Sequence, residues 1–416
     1  MENIAQSGSR AFVKVLYFHQ YFNTPKMAGG TRSYEMARRL IAAGHEVHII
    51  TTWREPTHKN DWWHETIDGI DVHWLPVKYS NTMSYTSRIA AFFKFAVKAG
   101  QRGCRIGGDL VFATSTPLTI ILPGFRAARK LRAPLIFEVR DLWPELPIAM
   151  GALKNPLTRW LALRLERFAY TRSDRIIALS QGMADGIAQA GYPKDKIIII
   201  PNGCDLDLFA EPKIAATQFR ANHPELGTGP IVLYAGTFGH INGVGYLAEL
   251  ACFMIDKMPA VRFVAIGNGV EVEKTRQRAK QLGVLDANFF QYPAMPKQEL
   301  VGAFSAASVS CSLFIDLSEM WANSANKFFD TLASGTAIAI NYQGWQADLI
   351  RDHACGVVLD ADPAKAVNDL YSFLKDKETL ADAGKRAQQL ARKQFSRDQL
   401  GQDFVAVLQN AYDEIR

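Results

Sequence analysis

Nowhere in this sequence do apolar residues run to the roughly 18 in a row that a bilayer-spanning helix needs, and the start, Met1-Glu2-Asn3-Ile4-Ala5-Gln6-Ser7, has neither the basic nor the apolar character of a secretion signal. The expected location is the cytoplasm. Cysteine is sparse: Cys104, Cys204, Cys252, Cys311 and Cys355 are odd in number, scattered, and without Cys-x-x-Cys spacing. That argues against zinc and redox motifs and leaves reduced, mostly buried thiols. A complete G-x-G-x-x-G is missing, and no acidic residue closes the second strand where a dinucleotide ribose would need one, which argues against a dehydrogenase. What is present is globular: 48% of residues are hydrophobic and 21% charged, with no wide low-complexity tract. A chain of 416 residues exceeds what one core usually serves, so two domains and a cleft between them are expected.

Charge divides unevenly. Residues 1–200 hold 27 Lys/Arg against 16 Asp/Glu, whereas 201–416 hold 20 against 25. The basic half is expected to face something anionic. Periodicity shows where the chain folds. Ala11–Phe18 reads as a buried strand, followed by a loop with Gly29-Gly30, a helix ending at Ala43-Gly44, and a second strand at Glu46–Thr51. This βαβ order, continued by strands at 109–113, 135–139, 175–179 and 197–200, predicts an α/β domain with a mostly parallel sheet. A turn at Pro201-Asn202-Gly203 interrupts the alternation. It resumes at Ile231–Gly236, 261–267 and 337–340, a second Rossmann-like domain, and closes with helical sequence from about Glu378 to Ile415.

Glycines 29 and 30 let backbone N–H groups approach a phosphate at a helix start, though a plain tight turn would use the same residues. In Ser324-Ala325-Asn326-Lys327-Phe328-Phe329-Asp330, a helix opening near Asn326 would offer free N–H groups and Lys327 to a diphosphate. Asp330, one turn on, would accept from ribose hydroxyls. Asp205-Leu206-Asp207 matches D-x-D but lies in the expected hinge, and Asp360-Ala361-Asp362 reads as a helix cap; neither is taken as a metal site. His58, His64 and Glu65 fall in an aromatic loop without helical metal spacing. Arg140 and Asp141 follow a first-domain strand, where ligands of open α/β sheets gather, and His19 directly follows the first strand.

Gly29-Gly30-Thr31-Arg32, Asn202-Gly203-Cys204-Asp205 with Phe209, Gly236, and the segment ending at Gly335 together resemble glycosyltransferase family 4 over nearly the whole chain. Asp141-Leu142-Trp143-Pro144 is similar to a stretch of its O-antigen and capsule subgroup, the fucosamine-transferase-like enzymes. The resemblance implies the α/β GT-B fold, two Rossmann-like domains facing each other across a cleft. Residues 11–202 would form the acceptor domain and 203–395 the nucleotide-sugar domain, with about 396–416 packing back on the first. It implies retaining transfer from a nucleoside diphosphate sugar, UDP-linked and of hexosyl or N-acetylhexosaminyl type, to a lipid-linked saccharide in surface polysaccharide synthesis.

The implied donor residues are Gly29, Gly30, Arg32, Gly236, Thr237, Asn242, Asn326, Lys327 and Asp330, and the implied catalytic group is Asp141, Arg140 and His19. Departures are clear: the first Glu of the family's acidic pair falls at Ala322, and its phosphate-binding Arg and Lys fall at Thr237 and Asn242, so Lys327 takes over their charge. Arg140 stands where the family often has a sugar-contacting His. No metal and no other cofactor is expected, and no nucleic acid. The expected partners are the donor, the lipid-linked acceptor and the inner face of the cell membrane, met by the basic amphipathic stretch Tyr85–Lys98 and by Arg126, Arg129, Lys130 and Arg132. A GT-B sugar-nucleotide epimerase and a noncatalytic accessory subunit are the competing readings.

Overall fold

The computed structural model describes residues 12–415 apart from 28, 78–82 and 84. Ala11, the segment Met1–Ser7 and Arg416 therefore lie outside the described residues. Strands β1 (Lys14–Phe18), β2 (Glu46–Trp53), β3 (Trp63–Ile67), β4 (Ile70–Pro76), β5 (Leu110–Thr114), β6 (Leu135–Val139), β7 (Arg175–Ala178) and β8 (Ile197–Ile199) make one sheet, ordered β3-β4-β2-β1-β5-β6-β7-β8. A second contains β9 (Ile231–Ala235), β10 (Arg262–Ile266), β11 (Phe289–Tyr292), β12 (Val309–Ser312), β13 (Ala337–Ile340) and β14 (Gly356–Val358), ordered β11-β10-β9-β12-β13-β14. Every neighbouring pair is parallel except β3–β4.

The central strands of each sheet are buried on both faces. On β1, Leu16 and Phe18 enter one core while Val15 and Tyr17 enter the other, with the Tyr17 ring 4.6 Å from that of Phe112. Continuous apolar strands of this kind need helices on both sides, which is why the alternation along the chain could be read as a doubly covered parallel sheet.

Three features differ from the sequence reading. The aromatic stretch holding His64 and Glu65 is not a loop; it forms the hairpin β3–β4, whose outer strand is mostly exposed and so lacks a clean apolar rhythm. Phe289–Tyr292 and Val309–Ser312 are additional strands of four residues, short enough to escape periodicity. The C-terminal helical sequence is two helices, Lys377–Gln394 and Arg397–Ile415, separated at Phe395-Ser396. The second lies on the first sheet, with Phe404 packed 5.0 Å from Phe112 and with Leu400, Val405 and Leu408 in the same core as Tyr34 and Leu40.

The chain thus crosses between domains twice, and the crossings bond to each other: Cys204 N–H donates to Phe395 O (2.7 Å) and Arg397 N–H to Cys204 O (3.1 Å). Cys204, Cys311 and Cys355 are buried and all five thiols are free. Among the described residues no helix is long and apolar enough to cross a membrane.

Candidate active site

The carboxyl ends of both parallel sheets open into the cleft between the domains, as topology requires of doubly wound folds. A cavity of 560 Å³ there is lined by the Gly29–Thr31 loop from one side and by Gly236, Thr237, Asn242, Gly267, Lys297, Asn326, Lys327, Asp330 and Arg397 from the other. It shares Gly30, Ile241, Phe314, Ala325 and Asn326 with a second cavity of 310 Å³, lined by His19, Tyr21, Asn23, Thr116, Arg140, Asp141 and Asn202 among others. Eight of the nine expected donor residues line the first cavity, and all three expected catalytic residues line the second.

Two glycine positions have steric reasons. Gly29 adopts φ +127°, a region that side chains avoid. A Cβ on Gly30 would stand 2.9 Å from Asn326 Nδ2 across the cleft, so any side chain there would displace the Asn326 amide.

The first cavity is built around the helix Asn326–Ser334. Ala325 is its N-cap and supplies no side-chain bond, so the first N–H groups stay directed at the pocket; Gly335, at φ +70°, ends the helix in the left-handed conformation. Lys327 reaches back to Tyr234, donating to its hydroxyl at 3.1 Å and lying 4.5 Å from the ring centroid. Among the described residues it has no carboxylate within salt-bridge distance. Desolvation alone pushes its ammonium down to about 7. A cation without a counter-charge and a helix N-terminus both favour an anion.

Asp330 faces Lys297 at 3.2 Å, and Lys297 also bonds Asp205, which Arg397 holds from the other side. Burial raises the Asp330 carboxyl despite Lys297. Burial would lower Lys297, but Asp330 and Asp205 hold its ammonium above the ordinary value. Asp205 is therefore an ion-pair partner at the hinge, and Asp362 caps the helix Pro363–Lys375 by accepting from Ala364 N–H at 2.9 Å.

Arg32 departs from expectation. Its side chain is fully buried, donating from Nε to Glu138 Oε1 (2.9 Å), from Nη1 to Pro201 O (2.6 Å) and from Nη2 to Ile200 O (2.9 Å). It lines neither cavity. A cation beside two glycines at a helix start looks like a phosphate ligand in sequence; only the fold reveals that Glu138, on β6, captures it beneath the interdomain crossing. Conversely, Lys297 and Arg397 were not foreseen. They arrive from a helix start and a crossing segment, and no motif marks either.

In the second cavity His19 Nε2 lies 3.5 Å from Arg140 Nη1, while its buried Nδ1 has no partner among the described residues. Desolvation, then the charges of Arg140 and Arg54, keeps this imidazole neutral, far below its usual titration. Asp141 shows the opposite balance: desolvation raises its carboxyl to about 6, against the pull of Arg140. Groups displaced in opposite directions thus line one cavity. Asn202 fastens this wall, its backbone N–H donating to Ser324 Oγ (3.2 Å) from the opposite domain.

The sequence matches two family profiles in tandem, the Glycosyl transferase 4-like domain over residues 28–203 and Glycosyl transferases group 1 over 216–390. It is 25% identical over 294 residues to an Escherichia coli protein named as a glycosyl transferase of colanic acid biosynthesis, covering 66% of this chain and 71% of that one. Among solved structures, Anabaena HepE in complex with UDP and glucose superposes with TM-score 0.71 at 15% identity, covering 96% of this chain and 100% of that one. WaaG, a glycosyltransferase involved in lipopolysaccharide biosynthesis, superposes with TM-score 0.68 at 16% identity, covering 96% and 99%. Two glycosyltransferase domains in tandem, folded as two Rossmann-like units that face each other across a cleft, make this chain a glycosyltransferase of the GT-B fold.

Proposed function

We propose that the chain transfers a sugar from a UDP-sugar, with retention at the anomeric carbon, to a lipid-linked saccharide acceptor in surface polysaccharide synthesis, and that it needs no metal. The observation that carries this reading is Lys327 without a counter-charge at the opening of the Asn326–Ser334 helix, one turn from Asp330. The diphosphate would sit on the helix N–H groups and Lys327, with Asp330 accepting from ribose hydroxyls. Developing charge on the departing diphosphate is then stabilised in place. The acceptor oxygen attacks from the leaving group's side, and its proton passes to the departing phosphate oxygen. The UDP held by the Anabaena neighbour supports uracil as the base, and the colanic acid and lipopolysaccharide roles in the names of two similar proteins support the pathway class.

Incubating the purified protein with a panel of UDP-sugars and lipid-linked acceptors, in chelator, and analysing products by mass spectrometry tests the reading. A glycosylated acceptor is expected; an epimerised donor made without acceptor would identify an epimerase instead, and no turnover of any kind would fit an accessory subunit. Dependence of turnover on added Mg²⁺ or Mn²⁺ would overturn the metal-free mechanism.

Lys327→Met and Asp330→Ala are each expected to weaken UDP binding by about 1–3 kcal/mol, the range for losing a charge-assisted hydrogen bond. Lys327 has a second signature. With its free-state ammonium near 7, most of it is neutral at pH 8, and a bound diphosphate raises it again. UDP binding at pH 8 should therefore take up a proton and weaken as pH rises. Calorimetry in buffers of different ionisation enthalpy measures this, and equal uptake in Lys327→Met would assign the proton elsewhere.

Membrane attachment is supported less by the stretch first suspected than by a neighbour. In the helix Tyr85–Ile106, Phe93 and Val97 are exposed, but Ala91, Phe95, Ala96 and Ala99 are buried against the sheet and Lys98 pairs with Asp61 at 3.6 Å. The helix Pro156–Thr171 instead exposes Leu157, Trp160 and Leu161 on one stripe, between 52% and 63% accessible, among exposed Lys154, Arg159, Arg164 and Arg167. Phe168 packs 5.0 Å from Phe125, which brings Arg126, Arg129 and Lys130 alongside. Such a surface suits an anionic bilayer, each nearby cation contributing on the order of 1 kcal/mol. Cosedimentation with anionic vesicles should be salt-sensitive and fall at least tenfold in Trp160→Ser/Leu161→Ser; equal binding by wild type to neutral vesicles, or none to anionic ones, would remove this face from the proposal.

A further inference from the structure

At the end of the N-terminal sheet away from the cleft, β2, β3 and β4 bring five side chains to one face. These are Glu46 and His48 from β2, His64 from β3, and Asp71 and His73 from β4. Register places His48 beside Asp71 and His64 opposite His73. The face is the one that holds Ile50 and Leu75, covered by the helix Tyr85–Ile106. His48 Nε2 lies 2.6 Å from Glu46 Oε1 and 3.9 Å from Asp71 Oδ2, and His64 Nε2 lies 2.8 Å from Asp71 Oδ1. One ligand atom each from Glu46, His48 and Asp71 falls within a common 4.8 Å. In sequence these groups are separated, and the hairpin that joins them reads there as a loop.

We propose that Glu46, His48, His64 and Asp71 form a binding site for a divalent transition-metal ion, one that ties the edge hairpin β3–β4 to β2. Two imidazoles and two carboxylates are a borderline donor set of the kind that holds Zn²⁺ or Co²⁺; Ca²⁺ and Mg²⁺ prefer oxygen alone. Two cations compete with the metal. Lys14 lies 2.9 Å from Glu46 Oε1, and Arg102 Nη2 lies 3.1 Å from His73 Nδ1.

Arg102 also sets the tautomers. A guanidinium only donates, so His73 Nδ1 accepts and the proton of this neutral ring is on Nε2. That proton is donated to His48 Nδ1 at 3.0 Å, which in turn places the His48 proton on Nε2, bonded to Glu46. A metal on His48 Nε2 reverses the chain. The His48 proton moves to Nδ1 and is donated to His73 Nε2, whose own proton moves to Nδ1; neither ring gains or loses charge, but Nδ1–H now faces Arg102. Arg102 must turn away, so it opposes the metal although it touches no ligand directly. A glutamine there would present a carbonyl to that N–H, the kind of outer partner that strengthens a metal-bound histidine.

Chelator-treated, full-length protein titrated with Zn²⁺ and Co²⁺ by calorimetry tests the site. One equivalent is expected to bind, raise the thermal midpoint, and give Co²⁺ the visible absorption of a low-coordinate N/O site. His64→Ala changes an exposed side chain with little risk to folding and should weaken Zn²⁺ about tenfold or more, His48→Ala/Asp71→Asn should abolish binding, and Arg102→Gln should tighten it. UDP affinity should not change in any of them, because the cleft lies at the other end of the strands. Absence of saturable Zn²⁺ or Co²⁺ binding to wild type, or undiminished binding in both His64→Ala and the double variant, would overturn the proposal.

Discussion

Replacing Arg32 with methionine is expected to cost about 3–5 kcal/mol of folding stability, the range for leaving one charge of a buried pair uncompensated. The partner left behind is Glu138, whose side chain, like that of Arg32, has no exposed surface. Burial would raise the Glu138 carboxyl, yet Arg32 first and Arg140 second hold it below its ordinary value. A depressed carboxyl contributes stability above its unfolded value and loses it as pH falls through the folded one. In Arg32→Met the sign inverts: an unpaired, desolvated Glu138 is raised, penalises the fold at neutral pH, and is relieved by protonation. The difference between wild type and variant should therefore be largest near pH 7 and shrink on acidification, measured by urea unfolding across pH. Adding Glu138→Gln should recover part of the loss, giving a coupling energy in the double-mutant cycle. A loss under about 1 kcal/mol, independent of pH, would mean that the pair does not bear on stability. Because Arg32 also binds the carbonyls of Ile200 and Pro201, its loss frees the crossing between domains as well as the core.

Arg32 shows where sequence reading stops. Local pattern reveals residues whose partners are nearby or are backbone: Gly29 and Gly30 at a strand-to-helix loop, Lys327 and Asp330 on one turn, Gly335 ending their helix. The parallel sheets were legible for the same reason, since strands buried on both faces are continuously apolar. Ion pairs between residues far apart in sequence leave no such trace. Glu138 is 106 residues from Arg32, and Arg397 is 192 from Asp205. The hairpin β3–β4 was lost because an edge strand with three of five residues exposed, Trp63-His64-Glu65-Thr66-Ile67, carries neither an apolar run nor clear alternation. The histidine cluster disappeared with it.

Asp141→Asn is expected to lower kcat about a hundredfold or more while folding stability stays within about 0.5 kcal/mol of wild type, as for an exposed position, a contrast that separates an active-site carboxylate from a structural one. Desolvation raises the Asp141 carboxyl to about 6, which leaves it largely ionised at pH 7, and because the residue is exposed a neutral isostere changes stability little. It lines the cavity that Arg140 and neutral His19 also line. The proposed role is to accept a hydrogen bond from a hydroxyl of the acceptor or the transferring sugar, a contact that strengthens as charge develops in the reaction and that a correctly placed acid or base typically makes worth 10²–10⁴ in rate.

The pH profile carries the sign. Wild-type kcat should fall as pH drops through about 6 and Asp141 protonates, whereas Asp141→Asn should be slow at every pH and lack that limb. UDP affinity should stay within a few-fold of wild type, because Asp141 lines the second cavity and not the one that holds Lys327 and Asp330. An Asp141→Asn enzyme that keeps wild-type kcat, or loses its activity together with its stability, would remove Asp141 from the reaction and leave Arg140 and His19 as the groups to test.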